Sequence, residues 1–357
     1  MGTFSLTSRA RPLIVAGPCG AESRVQTLET CRRIAETGAV HALRAGIWKP
    51  RTAPGSFEGA GEEGLRWLAE AKRITGLPAA VEVATAEHVQ MALSYGVEIL
   101  WIGARTTVNP FAVQEAAEAL RGNKEVTVLV KNPMNPDLDA WAGAVARFMG
   151  AGVPESNIGL VHRGFAYYGE ARYRNAPMWH LAFEMRSRFP DMTMLCDPSH
   201  IAGRRELLRE VAQTAADMRF DGLMVESHIA PAEALSDSAQ QVTPEELAAL
   251  LAALRWRKGE TADPGFGQEL ERLRSEIDQI DSQLLELMGR RMNIAERIGE
   301  LKLEKDVAIL QGARWNTIVR RAVERGRLLG LSEEFIRSVL ESIHSESIGR
   351  QNSVMNK

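Results

Sequence analysis

LIVAGPCGAES, Leu13 to Ser23, holds one complete unit of the fold. Leu13–Val15 is short, apolar and branched, and Gly17-Pro18 ends it, the pattern of a buried strand running into a sharp turn. Ser23 is placed to cap a helix starting near Arg24. Cys19, at the strand-to-helix turn, is either a packing residue or a chemical one, and the local residues allow both.

The same unit recurs along the chain. Unbroken apolar runs stand at Leu13–Ala16, Ala42–Ala45, Ala80–Val83, Leu100–Gly103, Thr127–Val130, Gly159–His162, Thr193–Cys196 and Leu223–Glu226. Between them lie Ala-, Glu- and Arg-rich segments of helical length, such as Glu62–Thr75, Pro110–Arg121 and Arg204–Arg219. Strands without polar alternation are those covered on both faces of a parallel sheet. Eight of them alternating with helices over roughly 250 residues predict an α/β fold, the (β/α)8 TIM barrel. A doubly wound sheet is the rival, but eight regular units and the lack of a G-x-G-x-x-G count against it.

Composition narrows the class. Hydrophobic residues make up 45% of the 357, enough for a large core, and the net charge of −3 gives no reason to expect nucleic acid or an acidic membrane surface as a partner. Three cysteines, Cys19, Cys31 and Cys196, do not make a disulfide framework. No apolar run approaches the ~18 residues of a membrane span, and the N-terminus lacks a signal-peptide core, so the expected location is the cytoplasm.

The pattern breaks at RKGETADPGFGQ, which is rich in Gly, Pro and charge. It divides the chain into a barrel domain at 1–257, a linker at 258–267 and a helical domain at 268–357. In the last, Leu270, Leu273, Ile277, Ile280, Leu284, Leu287, Arg291, Ile294, Ile298 and Leu301 recur at spacings of three and four. A seam this long cannot be buried inside so small a domain, so a second chain is expected against it. Two shorter helices follow, about Leu310–Leu328 and Ser332–Gln351, the latter with Ser332 as its cap.

A barrel gathers the residues at its strand ends onto one face, where barrel active sites lie. Those ends carry Cys19, Arg44, Glu82, Arg105, Lys131, Arg163, Asp197, His200 and Glu226, with Asp237 in the loop beyond the last strand. Singly, each is most simply a packed thiol or a surface ion pair; together they are hard to read so. Cys19, His200, Glu226 and Asp237 offer one sulfur, one nitrogen and two carboxylates, a mixture suited to one borderline divalent ion such as Mn2+, Fe2+, Co2+ or Zn2+. Arg44, Lys49, Arg51, Arg105, Lys131 and Arg163 are six cations on one rim, more than a single phosphate needs. They predict two phosphorylated substrates, one with a carboxylate besides.

The segments AGPCGAES, RAGIWKPRT, GAR, VKNP, HRG, DPSH, VESH and ALSDSAQQ, in this order, resemble 3-deoxy-D-arabino-heptulosonate 7-phosphate (DAHP) synthases of type Iβ, over nearly all of residues 12–257. The resemblance implies metal ligation by the same Cys19, His200, Glu226 and Asp237. It implies phosphoenolpyruvate bound by Arg44, Lys49, Arg105, Lys131 and Arg163, with Lys49 also catalytic, and the phosphate of erythrose 4-phosphate held by Arg51 and Thr52. The related 3-deoxy-octulosonate 8-phosphate synthases usually read KANRSS where this chain reads KPRT. About eleven residues precede the first strand, so the N-terminal regulatory domain of many type Iβ enzymes is not expected.

In the tail, Arg291 occupies a seam position that ordinarily takes an apolar side chain, and a charge there is costly unless paired. Arg274 and Lys302 flank the same face, Gln311 and Arg314 stand three apart on the second helix, and Ser347 and Gln351 end a stripe begun by Ile336, Leu340 and Ile343. Inward cations and neutral hydrogen-bonding groups suggest a pocket for a small dianion. LRSEIDQIDSQLLELMGRRMNIAERIGELK is similar to the first helix of the all-helical AroQ-type chorismate mutases, which are intertwined dimers. The resemblance implies catalytic roles for Arg274 of a partner chain, Arg291, Lys302, Arg314 and Gln351, with Gln311 and Ser347 binding substrate. Where some members have an acid pair, this chain has Gln311 and Trp315.

The function expected is therefore bifunctional: condensation of phosphoenolpyruvate with erythrose 4-phosphate, and rearrangement of chorismate to prephenate, with prephenate feeding back on the first reaction. The alternative keeps the synthase and makes the tail a non-catalytic sensing and dimerisation module.

Overall fold

The computed structural model describes residues 4–6, 12–49, 55–167, 172–259, 263–309 and 312–356, with backbone only at 264 and 312–314. The chain forms two compact units, Met1–Gly259 and Glu260–Lys357.

In the first unit, strands β1 (Leu13–Gly17), β2 (Ala42–Ala45), β3 (Ala79–Val83), β4 (Ile99–Ile102), β5 (Thr127–Lys131), β6 (Ile158–His162), β7 (Thr193–Cys196) and β8 (Gly222–Glu226) lie within one residue or so of the apolar runs. Among the described residues they close, all parallel and in sequence order, into a TIM barrel; β1 returns to β8 with Leu13 opposite Gly222 and Gly17 opposite Glu226. Helices cover the outside. Several of their N-termini are closed by side chains: Ser23 accepts from the Gln26 N–H, Asn109 from Phe111 and Ala112, and Thr243 forms a reciprocal capping box with Glu246.

Alternation along each strand splits the core in two. Ile14, Leu100, Val128 and Leu223 point outward to the helices, while Leu13, Val15, Ala42, Ala80, Ile99, Trp101, Leu129, Val161, Leu195 and Met224 fill the interior. Phe4 and Leu6 join this inner cluster, and the Phe4 carbonyl accepts from Thr127 Oγ1. A period of two then sets what comes above the apolar layer. Arg44 follows inward-facing Ala42 by two residues, Glu82 follows Ala80, Lys131 follows Leu129, Arg163 follows Val161, Asp197 follows Leu195 and Glu226 follows Met224. One register rule therefore lifts six ionisable side chains to the C-terminal mouth. Close packing there needs small residues: a Cβ on Gly17 would lie 2.0 Å from the Arg44 carbonyl oxygen.

The second unit has, among its described residues, helices Pro264–Glu304, Gly312–Leu328 and Glu333–Met355. The first runs 41 residues, about 60 Å at the usual rise. Val319, Val323 and Ile336 form a small core with Trp315, Ala322 and Leu340, and Ser332 caps the third helix through the Phe335 N–H. The seam is another matter. Residues 271–290 are exposed on every side, and Ile277, Ile280, Leu284 and Leu287 are open to solvent.

Candidate active sites

At the C-terminal mouth of the barrel is a cavity of about 300 Å3, lined by Arg44, Lys49, Arg105, Lys131 and Arg163 with His200, Glu226 and Asp237. Arg44 is almost wholly buried. Its Nη2 donates to Glu226 Oε1 at 3.2 Å, whereas Nε and Nη1 have no partner among the described residues. Orphaned buried guanidinium donors are expensive, and a bound anion satisfies them. The guanidinium lies over Trp101, 4.8 Å from the ring centroid. Arg163 is held by Asn175 Oδ1 at 2.8 Å; burial pushes its pKa down to about 10, which leaves it charged at neutral pH.

Cys19, Glu226 and Asp237 bring their donor atoms within 4.8 Å of one another. The Cys19 turn is pinned from two sides, its N–H donating to Gln241 Oε1 at 2.9 Å and its carbonyl accepting from Gly46 N and Lys49 Nζ. Lys49 Nζ also lies 2.8 Å from Cys19 Sγ. Burial, with Glu226 and Asp237 adding to it against Lys49 and Arg44, pushes the thiol up to about 12. For Asp237 burial acts upward as well, but His200 and Arg174 outweigh it and hold the carboxyl below its ordinary value. Asp237 adopts φ 51°, a left-handed conformation that aspartate tolerates.

His200 stands one step outside this trio, its Nε2 3.9 Å from Glu226 Oε1. The reason is its other nitrogen: Nδ1 is tied to Asp197 Oδ2 at 2.8 Å. A carboxylate only accepts, so Nδ1 carries a proton, and Nε2 is the nitrogen left facing Glu226 and the cavity. Sulfur, imidazole and two carboxylates converging in this way fit a borderline divalent cation.

Several site residues have no role assigned from sequence. Arg174, between strands β6 and β7, donates to Asp237 Oδ1 at 2.9 Å and to Gln240 Oε1 at 2.6 Å, and Gln240 Nε2 reaches Glu226 Oε2 at 2.7 Å. Glu82 lines the cavity too, and Gly103 makes room for it: a Cβ there would lie 1.9 Å from Glu82 Oε1. Asp197, a strand-end residue with no role read from sequence, proves fully buried and bonded to Lys131 Nζ at 2.7 Å. Burial would raise its pKa, but His200, Lys131 and Arg44 hold it well below the carboxylate range. Arg51 and Thr52 lie outside the described residues.

The helical unit has its own cavity, about 530 Å3, lined by Arg291, Lys302, Trp315, His344, Ser347 and Gln351 among others. Arg291 donates to Ser347 Oγ, whose hydroxyl donates onward to the Ile343 carbonyl. Gln351 is buried with Oε1 unpartnered among the described residues. Trp315 stacks on His344 with ring centroids 4.2 Å apart. Arg274 does not reach this cavity in its own chain; it is exposed and pairs with Glu271 at 3.6 Å. Gln311 and the side chain of Arg314 lie outside the described residues.

Comparison with known proteins agrees with this division. Residues 7–261 match the DAHP synthetase I family, and residues 273–352 match chorismate mutase type II. The phospho-2-dehydro-3-deoxyheptonate aldolase of Thermotoga maritima is 31% identical over 229 residues, 64% of each chain, so the match spans under two thirds of that relative's length. The 2-dehydro-3-deoxyphosphooctonate aldolase of Variovorax paradoxus is 29% identical over 265 residues, 68% of this chain and 88% of that one. The crystal structure of the Thermotoga maritima DAHP synthase superposes with a TM-score of 0.59 at 30% identity, covering 67% of both chains. The chain belongs to the DAHP synthetase I family and carries a chorismate mutase type II region behind its barrel.

Proposed function

We propose that this chain catalyses two reactions of aromatic biosynthesis. The barrel condenses phosphoenolpyruvate with erythrose 4-phosphate to DAHP and inorganic phosphate, and the tail rearranges chorismate to prephenate. The observation that carries the first is Arg44, buried with two unpartnered donors at the rim of a cavity that Lys131, Arg163 and Arg105 also line.

In the condensation, C3 of phosphoenolpyruvate attacks the aldehyde carbon, water adds at C2, and the C2–O bond breaks to release phosphate. Arg44, Arg105, Lys131 and Arg163 would hold the carboxylate and phosphate of phosphoenolpyruvate, and their positive field would stabilise the leaving phosphate where burial of Arg44, Lys131 and Arg163 limits solvent screening. Lys49, which lines the cavity with Nζ beside Cys19 Sγ, would face both reactants. A divalent ion held by Cys19, His200, Glu226 and Asp237 would supply Lewis acidity toward the aldehyde oxygen. The KPRT segment favours erythrose 4-phosphate, through Arg51 and Thr52, over the five-carbon aldose of the octulosonate enzymes.

The rearrangement needs no nucleophile, only a held conformer and a donor for charge growing on the ether oxygen. Arg291, Ser347 and Arg314 would hold the carboxylates, Lys302 and Gln351 would face the ether oxygen, and Gln311 would complete the site. Arg274 would come from a second copy, which also covers the exposed seam; we therefore expect a homodimer through the tail, with higher assembly allowed. Prephenate retains both carboxylates and fits the same cations, and we expect it to lower the barrel's rate. The second reading, a tail that senses without catalysing, draws on the Trp315–His344 stack, which offers no carboxylate acceptor.

No helix of the described residues is long and apolar enough to cross a membrane, and we place both reactions in the cytoplasm. One paired assay on the intact chain tests the whole reading. Condensation should disappear on chelation and return with a divalent ion, while rearrangement stays within twofold. Condensation indifferent to chelator, or faster with arabinose 5-phosphate than with erythrose 4-phosphate, would overturn the barrel assignment. No chorismate turnover would select the sensing tail, and a condensation rate unmoved by saturating prephenate would end the feedback proposal.

A further inference from the structure

We infer that Asp197 is a positioning residue that ties the metal-binding half of the barrel site to its anion-binding half. The inference rests on the assignment of those halves above and adds the link between them. Asp197 stands one residue past strand β7, on its inward-facing register, and is completely buried. Its two oxygens do different work. Oδ1 accepts the His200 backbone N–H at 3.1 Å and so caps the short helix Pro198–Ala202. Oδ2 accepts from Lys131 Nζ at 2.7 Å and from His200 Nδ1 at 2.8 Å. The residue itself is anchored by its own N–H, which donates to the His162 carbonyl at 2.8 Å.

One oxygen thus fixes both the ammonium meant for substrate and the imidazole meant for metal. Neither can shift without moving the atom that holds the other, and burial leaves little room for water to take over. The same bond selects the tautomer that leaves Nε2 free to ligate, the part that carboxylates partnering metal-bound histidines play. A helix cap alone would not require this. Capping uses Oδ1, and asparagine or serine caps as well as aspartate. Nor is a carboxylate otherwise welcome here, because it subtracts one charge from a cavity built for anions. Its placement of Lys131 and His200 is what offsets that loss.

The test uses the full chain with cobalt(II) and phosphoenolpyruvate as the two ligands. The variants are Asp197→Asn and Asp197→Ser, both of which retain the cap. Each should melt within a few degrees of the native metal-free chain. Each should bind cobalt ten- to a hundredfold more weakly, the usual effect of removing such a partner. Cobalt bound by the variants should show altered d–d bands, because His200 is no longer oriented, while the thiolate charge-transfer band from Cys19 persists. Phosphoenolpyruvate measured at saturating cobalt should bind at least tenfold more weakly. A folded variant that keeps both affinities, or loses only one, overturns the link and leaves Asp197 a cap. A native chain that takes up neither ligand would sink the site assignment and the link together, an outcome distinct from native binding that the variants do not disturb.

Discussion

The barrel and the helical tail both gather cations around a cavity, but they hold them differently. Arg44, Lys131 and Arg163 are 2%, 4% and 7% exposed and are braced within one chain by Glu226, Asp197 and Asn175. Arg274 of the tail has a side chain 62% exposed, on a helix whose residues 271–290 are all exposed. Closing eight strands makes an interior, so charges on the inward register are desolvated and oriented before substrate arrives. The second and third tail helices share a small core of Val319, Val323 and Ile336, and the long helix buries only Met292 and Ala295 among its described apolar side chains, which leaves most of its seam uncovered. On the proposed reading, the barrel site draws its residues from one chain, whereas the tail site calls for a second.

Four experiments would break or sharpen this contrast. The largest effect is expected from Cys19→Ser, which should lower metal uptake and condensation at least about a thousandfold, since the proposed metal would supply the Lewis acidity. Chorismate turnover by the same preparation should stay within twofold, and a fully metallated, active variant would remove Cys19 from the ligand set. Next, Arg291→Ala should slow rearrangement by roughly 100- to 1,000-fold, the scale for losing one oriented donor, with condensation measured alongside and nearly unchanged. A variant that rearranges chorismate normally would mean that the helical cavity is not the mutase site.

The seam is tested by Ile280→Glu with Leu284→Glu. Unpaired charges buried against a partner cost about 3 kcal/mol or more, enough for a hundredfold or greater rise in the dimer dissociation constant. Sedimentation should show the loss of dimer together with the loss of mutase activity. Mutase activity in a proven monomer would show that Arg274 is not supplied by a partner.

The smallest effect concerns the barrel wall. His162 is fully buried among Trp141, Phe165, Trp179 and Phe220, and burial pushes its pKa down to about 4, against 6.5 for a free histidine. Between these values the unfolded chain binds a proton that the barrel does not. Stability is therefore full above pH 6.5 and declines as pH falls toward 4, by up to about 3 kcal/mol. Denaturant melts followed by tryptophan fluorescence should show this slope, and His162→Gln should flatten it. An equal slope in both proteins would place the acid sensitivity elsewhere.

How much of this was legible depended on the range of the contacts involved. Strand positions followed from runs such as Leu13–Val15 and Thr127–Val130, because burial on both faces leaves a local trace. Cys19, Glu226 and Asp237 were readable as a donor set once a barrel was expected, and their atoms do converge. Arg174 was not readable: it lies well past strand β6, and only the path of the chain brings it onto Asp237. Asp197 was visible as a strand-end acid, yet a residue that holds two side chains with one oxygen looks in sequence like any helix cap. The offset of His200 from the trio was hidden for the same reason.

Sequence by itself determined the barrel, the helical tail and the chemical types of the groups at the strand ends, since periodicity and side-chain chemistry act over a few residues. Tertiary structure alone decided which of those groups share an atom, which buried donors stay unpaired, and that the tail's seam is bare in a single chain. Those outcomes depend on distances between residues far apart along the chain. Closure of the barrel sets them in the first unit, and the failure of three helices to close around their own seam sets them in the second.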